Sequence, residues 1–166
     1  MHLKPIPILF VQQHISLSWA EILWGYDHHF ISWMDIVEVA KNRLQLNSTE
    51  WEFELASLSK ESVFRVGELI QKIVDCELEK SNKDLGERWL FLILAWVFQN
   101  RDSINDPLGV VENIYADFDY PSEIESFVRY MPASSDYDPS QHSSQDNELR
   151  LFKNWEKYLN AYELTR

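Results

Sequence analysis

Residues 89–98 are WLFLILAWVF, an unbroken apolar run in an otherwise acidic chain of 166 residues. A helix with apolar residues on every face is usually buried on every face. The run is too short to cross a membrane, which takes roughly 18 or more such residues. It therefore predicts a central helix around which the rest of the chain packs.

Helix start signals lie on both sides of this central helix. In the segments 18–21 and 32–35, a serine is followed three residues later by a carboxylate that can return a hydrogen bond to the serine amide. Pro107 and Pro121 stand where a first helical residue is expected, because a helix start does not use the amide hydrogen that proline lacks. We therefore expect a helix to begin at each of these four places.

Apolar residues at spacings of three and four predict further helices over 49–58, after Ser59, and over 148–162. A break at Ser81-Asn82 separates the helix after Ser59 from the central helix. Only residues 6–11, IPILFV, hint at the alternation of a strand, and their prolines argue against a central strand.

The prediction is one all-α domain over residues 1–166, a bundle of about seven to eight helices around the apolar helix 89–98. Residues 132–147 have no apolar periodicity and are rich in Ser, Asp and Pro, so we expect a mobile acidic loop there. The single cysteine, Cys76, excludes an internal disulfide and is typical of a reducing compartment. Residues 1–14 lack the features of a secretion signal, and we therefore predict a cytoplasmic protein.

Most of the net charge of −12 lies in one region of the chain. Residues 102–149 contain 11 acidic residues and one basic residue, Arg129, which gives this region a net charge of −10. Such a field repels nucleic acid and anionic membranes and attracts a basic protein partner. The alternative is that the acidity serves solubility alone.

The triplet Asp27-His28-His29 raises the possibility of a metal site, as in manganese-dependent phosphoesterases. The further Asp and His ligands that hold the two metal ions in those enzymes are missing. Adjacent residues on a helix diverge by about 100°, so His28 and His29 could hardly share one ion. We therefore reject a metal site and expect exposed or partner-facing histidines.

Other signatures of chemistry are also weak. Four glycines leave no phosphate-binding loop, and Cys76 is expected to be an inert, partly buried thiol. We predict no cofactor and no catalytic residue, with a metal-dependent hydrolase as the least favoured alternative. Tyr26, Tyr120, Tyr130 and Tyr137 lie next to acids or loop prolines, where a ring could meet a partner or simply cover the rim of the core.

The segments LSWAEILWGYDHHFISWMDIVEVA, residues 17–40, and NRDSINDPLGVVENIYADFDYPSEIESFVRYMP, residues 100–132, together resemble an uncharacterised bacterial family, domain of unknown function 2247. The resemblance covers roughly residues 15–132, and DFDYPSEIESFVRYMP is its most specific part. It implies a small cytosolic bacterial protein without known catalytic residues. The chain also looks like an immunity protein, which neutralises a toxin encoded beside it.

On this hypothesis an acidic, aromatic face occupies the basic cleft of a toxin that cleaves nucleic acid. The predicted contact residues are Asp117, Asp119, Tyr120, Glu123 and Glu125, with Tyr137 and Asp138 as secondary candidates. Two alternatives stay open. The acids before Pro121 could merely favour the positive end of the next helix while Tyr120 shapes the turn, or the protein could be a regulatory or scaffold subunit that binds a peptide helix in a groove.

Overall fold

The computed structural model describes residues 5–77 and 84–165. Within these ranges it contains eight α-helices and no β-strand, which confirms the predicted all-α fold. The α-helices are α1 (Ile8–His14), α2 (Trp19–Asp27), α3 (Trp33–Arg43), α4 (Glu50–Ala56), α5 (Val66–Cys76), α6 (Glu87–Gln99), α7 (Pro107–Asp117) and α8 (Ser144–Thr165). Short 3₁₀ helices cover Lys60–Arg65, Arg101–Ser103, Ser122–Phe127 and Pro139–Gln141.

The chain divides into two compact units, one within residues 2–89 and the other within residues 90–166. That the whole chain forms a single domain, and that residues 132–147 are mobile, stay predictions.

The helix starts predicted in the first unit are confirmed. At α2, Ser18 accepts a hydrogen bond from the Glu21 amide at 3.1 Å, and the Glu21 carboxylate accepts one from the Ser18 amide at 3.1 Å. The same reciprocal pair forms at α3, between Ser32 and Asp35. A third such pair opens α4 inside the predicted 49–58 segment. Each satisfies backbone donors that a helix start leaves unpaired.

Three details of the first unit differ from expectation. Residues 8–14 form helix α1, which starts directly after Pro7, so the strand-like alternation at 6–11 was misleading. The helix expected after Ser59 begins as the 3₁₀ helix Lys60–Arg65 before it continues as α5. Cys76 is exposed rather than partly buried. The predicted break at Ser81-Asn82 lies outside the described residues.

Trp89 is fully buried in the first unit. Its indole N–H donates to the carbonyl oxygen of Glu21 at 2.7 Å, and its ring stacks on Phe30 at 5.8 Å. A Cβ atom added to Gly25 would lie 2.2 Å from Cζ2 of Trp89. Position 25 therefore requires glycine because helix α2 touches the indole directly.

In the second unit the apolar run is confirmed as a buried helix, since residues 90–94 and Val97 of α6 are buried. Trp155 of α8 is also fully buried and packs on Phe98 at 5.1 Å and on Phe127 at 5.9 Å. Helix α8 begins at Ser144, four residues before its predicted start.

Pro107 is the first residue of α7, as predicted. A helix also begins at the second predicted place, but it is the 3₁₀ helix Ser122–Phe127, and Pro121 is the residue that precedes it rather than its first residue. Within residues 5–77 and 84–165, none of the helices has the length and apolar character needed to traverse a lipid bilayer.

Candidate functional site

Helix α7 supplies the framework of the candidate site. The Asp106 carboxylate accepts a hydrogen bond from the Gly109 amide at 3.1 Å and so caps the helix start. The buried face of α7 carries Leu108, Val111, Ile114 and Tyr115. Tyr115 is only 4% exposed, so the last turn of α7 fixes an aromatic ring in the core.

The chain leaves α7 through a turn with an unusual backbone. The Tyr120 amide donates to the Tyr115 carbonyl at 2.8 Å, and the Asp119 amide donates to the Ala116 carbonyl at 3.1 Å. This pair of hydrogen bonds is a Schellman motif, whose left-handed position is usually glycine. Here Asp119 has φ 60° and Tyr120 has φ 59°. Left-handed backbone costs an L-residue roughly 1–2 kcal/mol, and such strain concentrates at functional sites.

This turn brings together three tyrosines, Tyr115, Tyr120 and Tyr130, called here the tyrosine cluster. Tyr115 meets Tyr120 edge to face at 5.2 Å between ring centroids and Tyr130 at 6.1 Å. Tyr120 and Tyr130 are each 58% exposed. The cluster is thus a buried ring carrying two rings that face solvent.

Contacts of the Tyr115 hydroxyl fix the buried ring of the cluster. The Tyr115 hydroxyl donates to Oε1 of Glu125 at 3.1 Å and lies 3.9 Å from Sδ of Met131. Burial raises the pKa of Tyr115, and the hydrogen bond to Glu125 raises it further. Burial also raises the pKa of Tyr130, with the neighbouring Tyr120 and an acidic residue of α7 adding to the effect. The cluster therefore places phenol rings directly beside the side chain of Glu125.

Arg129 fastens the segment that precedes Tyr130 to helix α7. Its guanidinium donates to both carboxylate oxygens of Asp106, at 3.1 and 3.0 Å, and to both of Glu112, at 2.8 and 3.2 Å. These hydrogen bonds raise the pKa of Arg129, and those to Glu112 contribute most. The hydrogen bonds that Asp106 accepts from Arg129 lower the pKa of Asp106. The single basic residue between 102 and 149 is therefore occupied within the chain.

The predicted contact residues divide into two groups. Tyr120 and Glu125 are brought together, because both touch Tyr115. Asp117, Asp119 and Glu123 are exposed on the same stretch, at the end of α7, in the turn and in the next 3₁₀ helix.

Tyr115 and Arg129 were missed by the sequence prediction. One signal for Tyr115 was available, since it lies four residues after Val111 and seven after Leu108 on the buried face of α7. A buried tyrosine there needs a partner for its hydroxyl, which here is Glu125. No local signal marks Arg129, because its partners lie 17 and 23 residues away.

Tyr137, a secondary candidate, belongs to a different set of contacts. Its hydroxyl donates to Oδ1 of Asn147 at 2.6 Å, and its ring stacks on His142 at 4.5 Å. The guanidinium of Arg150 lies 4.3 Å above the same ring. Tyr137 thus ties the segment 132–147 to the first turns of α8.

Asp138 likewise serves its own segment. Its carboxylate accepts hydrogen bonds from the amide and the hydroxyl of Ser140, at 3.0 and 2.7 Å, and caps the 3₁₀ helix Pro139–Gln141. The hydroxyl contact lowers the pKa of Asp138 most. A role of Tyr137 and Asp138 in partner binding stays a prediction.

The two histidines are explained by how α2 ends. Nδ1 of His28 donates to the Trp24 carbonyl at 2.7 Å, and the imidazole stacks on the Trp24 ring at 3.7 Å. His29 has φ 64° and takes the left-handed position of a second Schellman motif. Within the described parts of the chain, no group of three or more His, Cys, Asp or Glu side chains is placed to hold a metal ion.

Comparison with known proteins places the chain in a family. A sequence model of the family described as "Uncharacterized protein conserved in bacteria (DUF2247)" matches residues 8–163, and the chain belongs to this family. The matched range contains α1 to α7, the tyrosine cluster and nearly all of α8. No curated protein and no solved structure matches the chain significantly.

Proposed function

We propose that this member of the DUF2247 family is a non-catalytic cytoplasmic protein that binds a basic protein partner through the tyrosine cluster and the acids around it. The proposal excludes nucleic acid and membranes as partners. One observation carries it: two half-exposed tyrosine rings, Tyr120 and Tyr130, are fixed on a buried third ring within a region of net charge −10.

The physical chemistry of this face suits a protein interface. Tyrosine is enriched at interface centres because it offers a large rigid ring and a hydroxyl while losing little rotamer entropy on binding. Tyr120 and Tyr130 are already held in place, so their ordering costs little when a partner arrives. The surrounding carboxylates speed the encounter with a positively charged protein, and contact with the rings slows its release.

We further propose that the partner is a cognate toxin with a basic, nucleic-acid-cleaving cleft, and that the chain is its immunity protein. An enzyme that cleaves nucleic acid needs positive charge in its cleft to hold the phosphates. The carboxylates of three exposed acids can bind the positively charged residues of that cleft in place of the phosphates. These acids are Asp117, Asp119 and Glu123. The concentration of acidity in one region favours a basic partner over a neutral one.

The first test is co-purification with the C-terminal domain of the protein encoded immediately upstream, followed by calorimetric titration at about 50 mM and about 500 mM salt. We expect a nanomolar complex that weakens at the higher salt concentration and protects cells from that domain. A complex with no salt dependence, or no complex at either concentration, would contradict the toxin assignment and favour the scaffold alternative.

The second test locates the interface with charge-matched variants. Glu123→Lys reverses an exposed charge beside the tyrosine cluster, and Glu38→Lys makes the same change on the exposed face of α3. We expect Glu123→Lys to weaken the complex about tenfold and Glu38→Lys to have little effect. Equal effects of the two variants would remove the tyrosine cluster from the interface.

A further inference from the structure

We infer that the tyrosine cluster receives an arginine side chain of the bound protein, with the guanidinium over the exposed rings of Tyr120 and Tyr130 and beside the carboxylate of Glu125. This rests on the proposed function for the source of the arginine. It adds the chemical group that the site recognises.

The exposed rings provide the first half of the site. The face of a phenol ring carries partial negative charge and attracts a cation within about 6 Å of its centroid. Tyr120 and Tyr130 flank Tyr115 at 5.2 and 6.1 Å, and each leaves more than half of its side chain exposed. Each of these two rings is therefore accessible to a planar group from solvent.

Glu125 provides the second half. It is partly buried and accepts the hydroxyl hydrogen of Tyr115 at 3.1 Å, so its position is fixed. A guanidinium presents five N–H donors in one plane, which lets it bond a carboxylate while it stacks on an aromatic face.

Basic side chains of this protein already lie over aromatic rings, but they do so outside the tyrosine cluster. Cations lie over aromatic rings in four pairs among the described residues: Arg43 on Trp19 at 5.0 Å, Lys72 on Trp51 at 4.1 Å, Arg101 on Phe98 at 4.1 Å and Arg150 on Tyr137 at 4.3 Å. None of these four pairs includes a ring of the tyrosine cluster.

The basic residue next to the cluster in sequence is Arg129, and its guanidinium is held by Asp106 and Glu112 through four hydrogen bonds. It is therefore committed to α7 and not to the rings. A guanidinium can stack on an aromatic face and bond a carboxylate in the same plane, so it suits rings beside Glu125 better than an ammonium does.

The experiment is a nuclear magnetic resonance titration of the full chain, with its tyrosine rings labelled, against N-acetyl-arginine amide. The control probe is N-acetyl-citrulline amide, which has nearly the same shape without the charge. We expect the resonances of Tyr120 and Tyr130 to shift saturably with the arginine probe, with half-saturation on the order of 10 mM, and at least about fivefold more weakly with the citrulline probe. The Tyr137 ring, which already carries Arg150, serves as the internal control and should not shift.

Two variants test the two halves of the site separately. Tyr120→Ala removes a ring, and Glu125→Gln removes the charge while it keeps an acceptor for the Tyr115 hydroxyl. Circular dichroism would first verify that both variants fold. Each should lower the affinity for the arginine probe severalfold.

Equal shifts with both probes, or no shift of the cluster resonances up to about 100 mM arginine probe, would overturn the inference. The result also separates this inference from the proposed function. A basic partner whose binding depends on Tyr120, together with no response to the arginine probe, would leave the proposed function standing and remove the arginine site. A response to the probe without binding of the toxin domain would leave the arginine site standing and remove the proposed function.

Discussion

The backbone at Tyr120 leads to a prediction of unusual sign. Tyr120→Ala and Tyr120→Gly remove the same ring, and in an ordinary helical position glycine would be the less stable of the two by roughly 1 kcal/mol. Because Tyr120 has φ 59°, a value that glycine adopts freely and alanine does not, we expect the glycine variant to be the more stable.

The magnitudes follow from exposure and backbone conformation. Tyr120 is 58% exposed, so roughly 80 Å² of its side chain is buried, and losing that contact costs both variants about 2 kcal/mol. Glycine also relieves the left-handed strain of about 1–2 kcal/mol and gives back about 0.5–1 kcal/mol through the freedom of its unfolded chain. The alanine variant should thus be about 2 kcal/mol less stable than the parent protein, and the glycine variant only about 1 kcal/mol less stable.

Urea titration followed by circular dichroism measures this difference. With a slope of about 2 kcal/mol per molar urea, the glycine variant should unfold at a urea concentration about 0.5 M higher than the alanine variant. Both variants should lose partner binding equally, because both lack the ring. If the alanine variant were as stable as the glycine variant, the left-handed conformation would carry no cost, and the inference that strain marks a functional residue would fail.

Two further substitutions test the core and the cluster. Gly25→Ala should destabilise the chain by about 3 kcal/mol, because its Cβ atom would lie 2.2 Å from the fully buried ring of Trp89, whereas Gly67→Ala, with no atom within 4 Å of the added Cβ, should stabilise it by about 0.5–1 kcal/mol; similar urea midpoints for the two would contradict the described packing. Glu125→Gln should lower the pKa of Tyr115, because the amide carries no charge to disfavour the tyrosinate. An unchanged titration of the Tyr115 ring carbon would mean that burial alone sets that pKa.

The parts of the fold that the sequence predicted are those encoded within a few consecutive residues. The reciprocal caps at the starts of α2 and α3 each involve two residues three positions apart. The start of α7 needs only Asp106 and Pro107, and the burial of α6 follows from its composition. The cap signals depend little on the tertiary context, because the atoms that satisfy them belong to the first turn of the same helix.

The parts that could not be predicted depend on contacts between distant residues or on backbone angles without a sequence signal. The stretch DFDY, residues 117–120, contains no glycine, so a left-handed helix end was not apparent there. That turn decides where Tyr120 lies, and the ion pairs of Arg129 decide where Tyr130 lies. One predicted contact residue, Tyr120, therefore lies in a cluster whose central residue, Tyr115, was not foreseen.

Comparing the two Schellman motifs shows which part of the turn at α7 is more than a helix end. Both α2 and α7 place a non-glycine residue, His29 and Asp119, in the left-handed position, so that feature alone needs no functional explanation. They differ at the next residue. Phe30 is not among the residues with positive φ, and its ring stacks on the buried Trp89.

Tyr120, in the equivalent position after α7, is left-handed as well and keeps 58% of its side chain exposed. Helix termination at α2 is achieved without a second strained residue, so the second one at α7 is not required to end the helix. The left-handed backbone at Tyr120 holds the Tyr120 ring against Tyr115 while the rest of that ring meets solvent. A conformation that costs stability and exposes a ring is expected where selection acts on binding rather than on folding, which is the physical reason for proposing an interface at the tyrosine cluster.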